Sequence, residues 1–388
     1  MRCLARRIVT SALAILVMGV FLASPASAQV GSADWERVIS NWAESVTDQV
    51  STDAVGGIAA GVVVDGDLVW ARGFGLADRA SRATMEPSAI SRTGSISKSV
   101  TAVLMMRLVD QGVVDLDVPV ERYLPEFGQL TDRRPGADAV TLRHLASHTA
   151  GIIREPRNLP AAVSGPLEAW EERILSALPE TAYDSVPGAR YQYSNIGFGT
   201  LGLALSRAAG RPFMEMVREE VFTPLGMIGS SFVVDGTELE ARLASGYTNG
   251  RDGTIDGSMP AREHSGRGYK VPNGGVYSTV ADLGRFLGAV AGVPGLRILS
   301  EESRLEMISV QTPENPDRGY GLGFSVQRTE GGSQIVSHGG SVAGYTAYMA
   351  VDTETGVGVV LLRNYNQGET NLARAAQSLI QELAPVLR

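Results

Sequence analysis

The apolar positions of this chain follow two periods, arranged in three blocks. In ADWERVISNWAESVTDQV, residues 33–50, Trp35, Val38, Ile39, Trp42 and Val46 recur at helical spacing and predict an amphipathic helix. GIAAGVVVDGDLVWARGFGLAD follows, two β-rich runs on either side of DGD, which predicts a hairpin. Toward the other end GLGFSVQR, SQIVSHGG and AYMAVDTETGVGVVLLRNY return to the strand-and-turn pattern, and NLARAAQSLIQELAPVL predicts a closing helix. Residues 95 to about 300 lie between, mostly helical runs such as SVTAVLMMRLVDQG, TLRHLASHTAGI and GFGTLGLALSRAAGRPFMEMVREEV, separated by Gly/Pro-rich loops. Strands at both ends with helices between them predict an α+β fold: one antiparallel sheet built from both chain ends and flanked by helices, plus a mostly helical lobe at about 100–300. Without an internal repeat or an obvious linker, residues 29–388 read as a single domain.

Composition narrows the picture in two places. The net charge of -8 argues against nucleic acid as a partner, because phosphate binding needs a basic surface. The first 28 residues read as a signal peptide: Arg2, Arg6 and Arg7 precede the apolar run IVTSALAILVMGVFLA, and small residues follow at Ala26–Ala28. That run is short for a membrane span and has no basic stop-transfer flank, so a periplasmic or secreted protein is expected, with no stable membrane insertion after cleavage. Cys3 lies inside this segment, so the mature chain would have neither a disulfide nor a cysteine metal site.

Candidate chemistry begins with a lysine. Of 34 basic residues only Lys98 and Lys270 are lysines. In SISKSVTAVLMMRL a helix opening at Ser95 would put Ser95 and Lys98 on one face, at i and i+3. A serine hydroxyl needs a neighbour to take its proton, and lysine can do so when burial lowers its pKa; arginine stays charged. A lowering by three units corresponds to about 4 kcal/mol. Serine, two residues and lysine also arise by chance at solvated helix starts. In PGARYQYSNIGFG, Tyr193 and Asn195 precede another apolar helix; the tyrosine could serve as a general acid or base and the asparagine could orient the lysine and substrate, or the pair could simply pack and cap. In QIVSHGGSVAGYTAYMAV an apolar strand ends at His338, Gly339 and Gly340, followed by Ser341, where backbone N–H groups could face an oxyanion.

The order SISK, YSN, HGG resembles the class C β-lactamase-like serine hydrolases, penicillin-recognising enzymes that include D-aminopeptidases and related esterases. LRHLASHTAGI, PGARYQYSN, VFTPLGM, PNGGVYSTVADLGRF and GYGLGF extend the resemblance over nearly the whole mature chain. The resemblance implies a β-lactamase/transpeptidase-like fold and an acyl-enzyme on Ser95. Lys98 would lower the proton affinity of Ser95 and Tyr193 would shuttle protons to the leaving group. Asn195 would hold Lys98 and the substrate, and the N–H groups of Ser95 and Ser341, beside Gly340, would form the oxyanion hole. Such β-lactamases and DD-peptidases usually carry Lys-Thr-Gly where this chain has His338-Gly339-Gly340; a mostly neutral histidine should draw a substrate carboxylate less. Members with histidine there are typically peptidases, amidases or esterases.

An exported serine hydrolase acting on an ester, amide or peptide is therefore expected, possibly on a D-amino-acid peptide or a β-lactam. The alternative is a non-catalytic or slowly acylating protein that binds cell-wall peptide. No cofactor or metal is expected: His144 and His148 in HLASH lack the adjacent glutamate and third ligand of a zinc site. GYGLGF is read as a strand rather than a nucleotide loop, and no G-x-S-x-G nucleophile elbow occurs. REPRNLPAAVSGPLEAW and TNGRDGTIDGSMPAREHSGRGYK are expected to be cleft loops, with Lys270 either bordering the cleft or exposed.

Overall fold

A computed structural model of the chain describes residues 30–387 except 134, 251 and 330, so segment 1–28, expected to be a signal peptide, lies outside the described residues. Ser32 caps the first helix, α1 (Ala33–Asp53), by accepting the N–H of Trp35 at 3.3 Å. The hairpin β1 (Gly57–Val64) and β2 (Asp67–Asp78) turns through Asp65 and Gly66, whose φ of +50° and +80° suit the twist of a tight hairpin. A short β3 (Ala83–Thr84) leads to the helical half, which includes α2 (Ile96–Asp110), α3 (Leu142–Ala146), α4 (Asn195–Ala209), α5 (Val271–Gly274) and α6 (Val280–Ala291). The chain returns through β4 (Arg318–Tyr320), β5 (Ser325–Arg328), β6 (Gln334–Val342), β7 (Tyr345–Asp352) and β8 (Val357–Arg363) to α7 (Leu372–Leu383).

The eight strands form one antiparallel sheet in the order β3-β2-β1-β8-β7-β6-β5-β4. The two chain ends meet where β1 pairs with β8, from Ile58 opposite Arg363 to Val64 opposite Val357. Both strands are buried throughout, and alternate side chains serve different layers. Ile58, Ala60, Val62, Val359 and Leu361 pack on α1 and α7, whereas Ala59, Val360 and Leu362 join α6 and the core of the helical half. At the centre of that half, α2 is buried on nearly all sides from Ile96 to Leu108, as expected of a helix that is apolar around its whole circumference.

Three local readings need correction. GYGLGF is a strand only as far as Tyr320; residues 321–324 turn before β5 starts at Ser325. The turn docks on α2: Ser99 Oγ donates to the Gly323 carbonyl at 2.7 Å, and Gly323 N–H donates to the Ala146 carbonyl at 3.0 Å. The strand expected to stop at HGG continues to Val342, because β7 pairs with it along its full length. The helix in TLRHLASHTAGI is a single short segment, Leu142–Ala146, capped by Thr141 and followed by His148 at φ +60°.

Gly340 sets how closely the sheet approaches the start of α2. A Cβ there would lie 1.9 Å from the Thr93 carbonyl oxygen and 2.9 Å from Ser95 N, so only glycine lets β6 lie against this backbone. Gly340→Ala should therefore force the two elements apart and destabilise the protein by about 1–3 kcal/mol, the usual range for overpacking. Thermal denaturation checks this; a midpoint unchanged from the parent would contradict the packing described.

Candidate active site

Ser95 occupies the position just before α2 with helical dihedrals (φ −64°, ψ −8°), and its hydroxyl caps no backbone N–H. The hydroxyl instead lies 3.0 Å from Lys98 Nζ, one turn into the helix. Lys98 is fully buried, at 0% exposure. Its other hydrogen bond among the described residues is to the Asn273 carbonyl of α5 at 3.0 Å, and the rings of Tyr193 and Phe198 lie 4.7 and 5.8 Å from Nζ. Thr101 fixes α5 in place by donating to the Pro272 carbonyl at 2.7 Å. Burial drives the Lys98 pKa well below that of an ordinary lysine; Glu155 opposes the shift, while Arg154 and Lys270 add to it.

Tyr193 reaches the same point from the start of α4. Its phenol is pushed up to about 12 by burial, against a hydrogen-bonding interaction with Ser95 that lowers it. The ring lies 4.2 Å from that of His148, whose Nδ1 accepts the Ser194 N–H at 3.1 Å. His148 is thus a support beneath the tyrosine, held in an uncommon backbone conformation. His144 caps α3 through Thr141 instead, so the two histidines do not converge. Among the described residues no group of His, Cys, Asp and Glu could hold a metal ion.

Asn195 is placed differently from expectation. It opens α4, but Ser194 is the cap, and Asn195 Nδ2 donates to Glu155 Oε1 at 2.6 Å and makes no hydrogen bond to Lys98. The other carboxylate oxygen of Glu155 accepts the Tyr269 hydroxyl. The backbone carbonyl of Asn273 occupies the place against Lys98 that the side chain of Asn195 was expected to take. Asn273 in turn donates its amide to the Asn195 carbonyl at 2.8 Å.

β6 contributes its edge. β5 pairs with β6 only as far as Ser337 opposite Ser325, and the rest of β6 runs past Ser95. His338 is 5% exposed and both ring nitrogens are engaged: Nδ1 with the Gly339 carbonyl at 2.6 Å, Nε2 with the Tyr320 hydroxyl at 2.8 Å. Since a carbonyl can only accept, Nδ1 carries the proton and Tyr320 donates to Nε2. The ring pKa falls to about 3, through burial first and then the nearby Lys98. His338 is therefore neutral and enclosed, and a substrate carboxylate cannot reach a free donor on it.

Ser95, Tyr193, His338, Gly340 and Ser341 line one cleft of about 860 Å³, with Lys98 buried behind Ser95. The residues missed in sequence are Arg154 and Glu155 from the REPRN loop, Tyr269 and Asn273 from the GRGYKVPNGG segment, and Tyr320. Tyr320 and Asn273 lie in the stretches GYGLGF and PNGGVYSTVADLGRF, but nothing there marked them as site residues, and none of the five shares a spacing pattern with SISK.

With this geometry in view, comparison with known proteins is informative. Residues 42–383 match the Beta-lactamase family. The chain belongs to that family. A D-alanyl-D-alanine-carboxypeptidase/endopeptidase, AmpH of Escherichia coli (strain K12), is 24% identical over 339 residues, covering 83% of this chain and 84% of the relative. Esterase EstB of Burkholderia gladioli is 28% identical over 360 residues, covering 83% and 89%. Among solved structures, an octameric penicillin-binding protein homologue from Pyrococcus abyssi superposes with a TM-score of 0.73 at 26% identity, covering 89% of this chain and 77% of that one. Membership of the Beta-lactamase family, with peptidase and esterase relatives, makes the protein a serine hydrolase.

The buried histidines predict an acid-sensitive fold. His338 is held neutral down to about pH 3, whereas an unfolded chain protonates its histidines near pH 6.5. Between these values the unfolded state binds more protons, so the stability contributed is full above about pH 6.5 and is lost as pH falls toward 3. His338→Gln should flatten the decline between pH 6.5 and 4 by up to about 1.4 kcal/mol per pH unit. Urea unfolding of both proteins across that range tests this; parallel curves would contradict it.

Proposed function

We propose that the protein is an exported hydrolase that cleaves an ester, amide or peptide through an acyl-enzyme on Ser95. The observation that carries this reading is Lys98: a fully buried amine whose hydrogen bonds among the described residues are to Ser95 Oγ and a backbone carbonyl. A lysine driven toward its neutral form has a lone pair to offer the serine proton, and a protein that merely held peptide would have no use for one. The Ser95 proton passes to Lys98 as Oγ attacks the substrate carbonyl. Tyr193, still protonated at neutral pH, relays a proton to the leaving oxygen or nitrogen as its bond to carbon breaks. Water then attacks the acyl-Ser95 ester by the reverse relay. The N–H groups of Ser95 and Ser341, brought together by the contact at Gly340, stabilise the oxyanion in both steps. Asn195, tied to Glu155, would orient the acyl side of the substrate.

The substrate class is supported by the relatives, which include a carboxypeptidase and an esterase. Arg2, Arg6, Arg7 and the apolar run after them support export to the periplasm or medium. No helix among the described residues is long and apolar enough to cross a membrane.

Hydrolysis of p-nitrophenyl butyrate is the test. Ser95→Ala should abolish turnover. Lys98→Arg, which keeps a positive charge but cannot give up its proton, should lower kcat/KM by about 10²–10⁴-fold, the range for loss of a general base. Near-parental turnover by either variant would overturn the mechanism.

A further inference from the structure

With His338 enclosed, β6 offers no cation to a substrate, yet two cations lie close to the site. Arg154 is exposed, and its guanidinium lies 4.8 Å over the ring of Tyr193, which lines the cleft. Its backbone is fixed, because its carbonyl accepts the N–H groups of Asn195 at 2.9 Å and Ile196 at 3.3 Å. Among the described residues its guanidinium makes no hydrogen bond or ion pair, whereas ten other arginines of this acidic chain pair with a carboxylate, as Arg143 does with Asp117 at 2.7 Å. Lys270, next to Tyr269 and the start of α5, likewise has no hydrogen-bonded partner, and its charge is felt at Lys98. The carboxylate of Glu155 between them is already occupied by Asn195 and Tyr269. Of the other acids nearby, Glu314 accepts the Tyr191 N–H, and Glu369 lies in the segment after β8 that lines the cleft. Arg154 and Lys270 are thus two cations close to the site without a hydrogen-bonded partner among the described residues.

We propose that Arg154, assisted by Lys270, is a specificity residue that binds a carboxylate carried on the acyl portion of the substrate. This rests on the acyl-enzyme reading above and names the substrate class for it: acyl groups with an anionic end. A guanidinium stacked on a ring and backed by fixed backbone is oriented before the ligand arrives, and its planar N–H groups match a carboxylate. The site differs in kind from a lysine on β6, since it stands at the start of α4, beside the proposed proton relay.

The test compares two activated esters with the same leaving group, p-nitrophenyl butyrate and mono-p-nitrophenyl glutarate, whose acyl chain ends in a carboxylate. The readout is the ratio of their kcat/KM values at fixed pH and low salt, which cancels any effect of Arg154 on Lys98. The parent should favour the glutarate ester; Arg154→Gln should lower the ratio about tenfold, the loss expected for one charged hydrogen-bonded contact, and added salt should lower it in the parent. Arg154→Lys should restore part of the preference and Lys270→Gln should reduce it less. A ratio that is the same in the parent and Arg154→Gln overturns this inference while leaving the acyl-enzyme reading intact. If the parent hydrolyses neither ester, both fail together.

Discussion

Lys98 sits where the sheet and the helical half of the molecule meet, and an amine buried there is the constraint around which the neighbouring elements are arranged. Burying an ammonium without a carboxylate is expensive, and a protein avoids the expense by letting the group lose its proton. The surroundings of Lys98 fit that outcome. One N–H is taken by the Asn273 carbonyl, two aromatic rings enclose the rest, and the remaining hydrogen-bonding direction points at Ser95. Glu155, the nearest carboxylate to influence it, has both oxygens occupied by Asn195 and Tyr269. Those two hydrogen bonds keep Glu155 from forming the ion pair that would fix the lysine in its charged form.

The remaining parts of the site follow from that arrangement. His148 supports Tyr193 from behind, so the phenol stays against Ser95. The Gly323 turn is tied to Ser99, one residue after Lys98, which places Tyr320 at the foot of the cleft, where it holds the His338 ring. His338 is therefore a neutral link between strands, and the unpaired positive charge near the site is that of Arg154 and Lys270 rather than of β6. The same chemistry is thereby separated from the recognition of charge, which falls to residues in loops.

The fold was legible in the sequence because its main signals are periodic. The continuous apolar runs of β1 and β8, buried on both faces, and the helical spacing of Trp35, Val38 and Ile39, buried on one, each leave a pattern in the sequence. Ser95 and Lys98 were legible because a helix turn brings i and i+3 together. Asn195 was read only in part: its place beside the site follows from YSN, but its partner, Glu155, lies 40 positions earlier in a loop without periodicity. The role of Asn273 is carried by a backbone carbonyl, which no side-chain pattern can announce. GYGLGF misled because its apolar residues pack against α2 in a turn, and burial alone does not distinguish a turn from a strand.

The chain has two lysines, so the charge state of Lys98 can be observed directly. Carbon-13 labelling of lysine at Cε, with a Lys270→Arg variant to assign the signals, gives one resonance to follow with pH by NMR. The account predicts that Lys98 titrates well below the ordinary lysine value of about 10.5, as a neutral base at the pH of catalysis. A Lys98 resonance that stays that of an ammonium up to about pH 10 would contradict it.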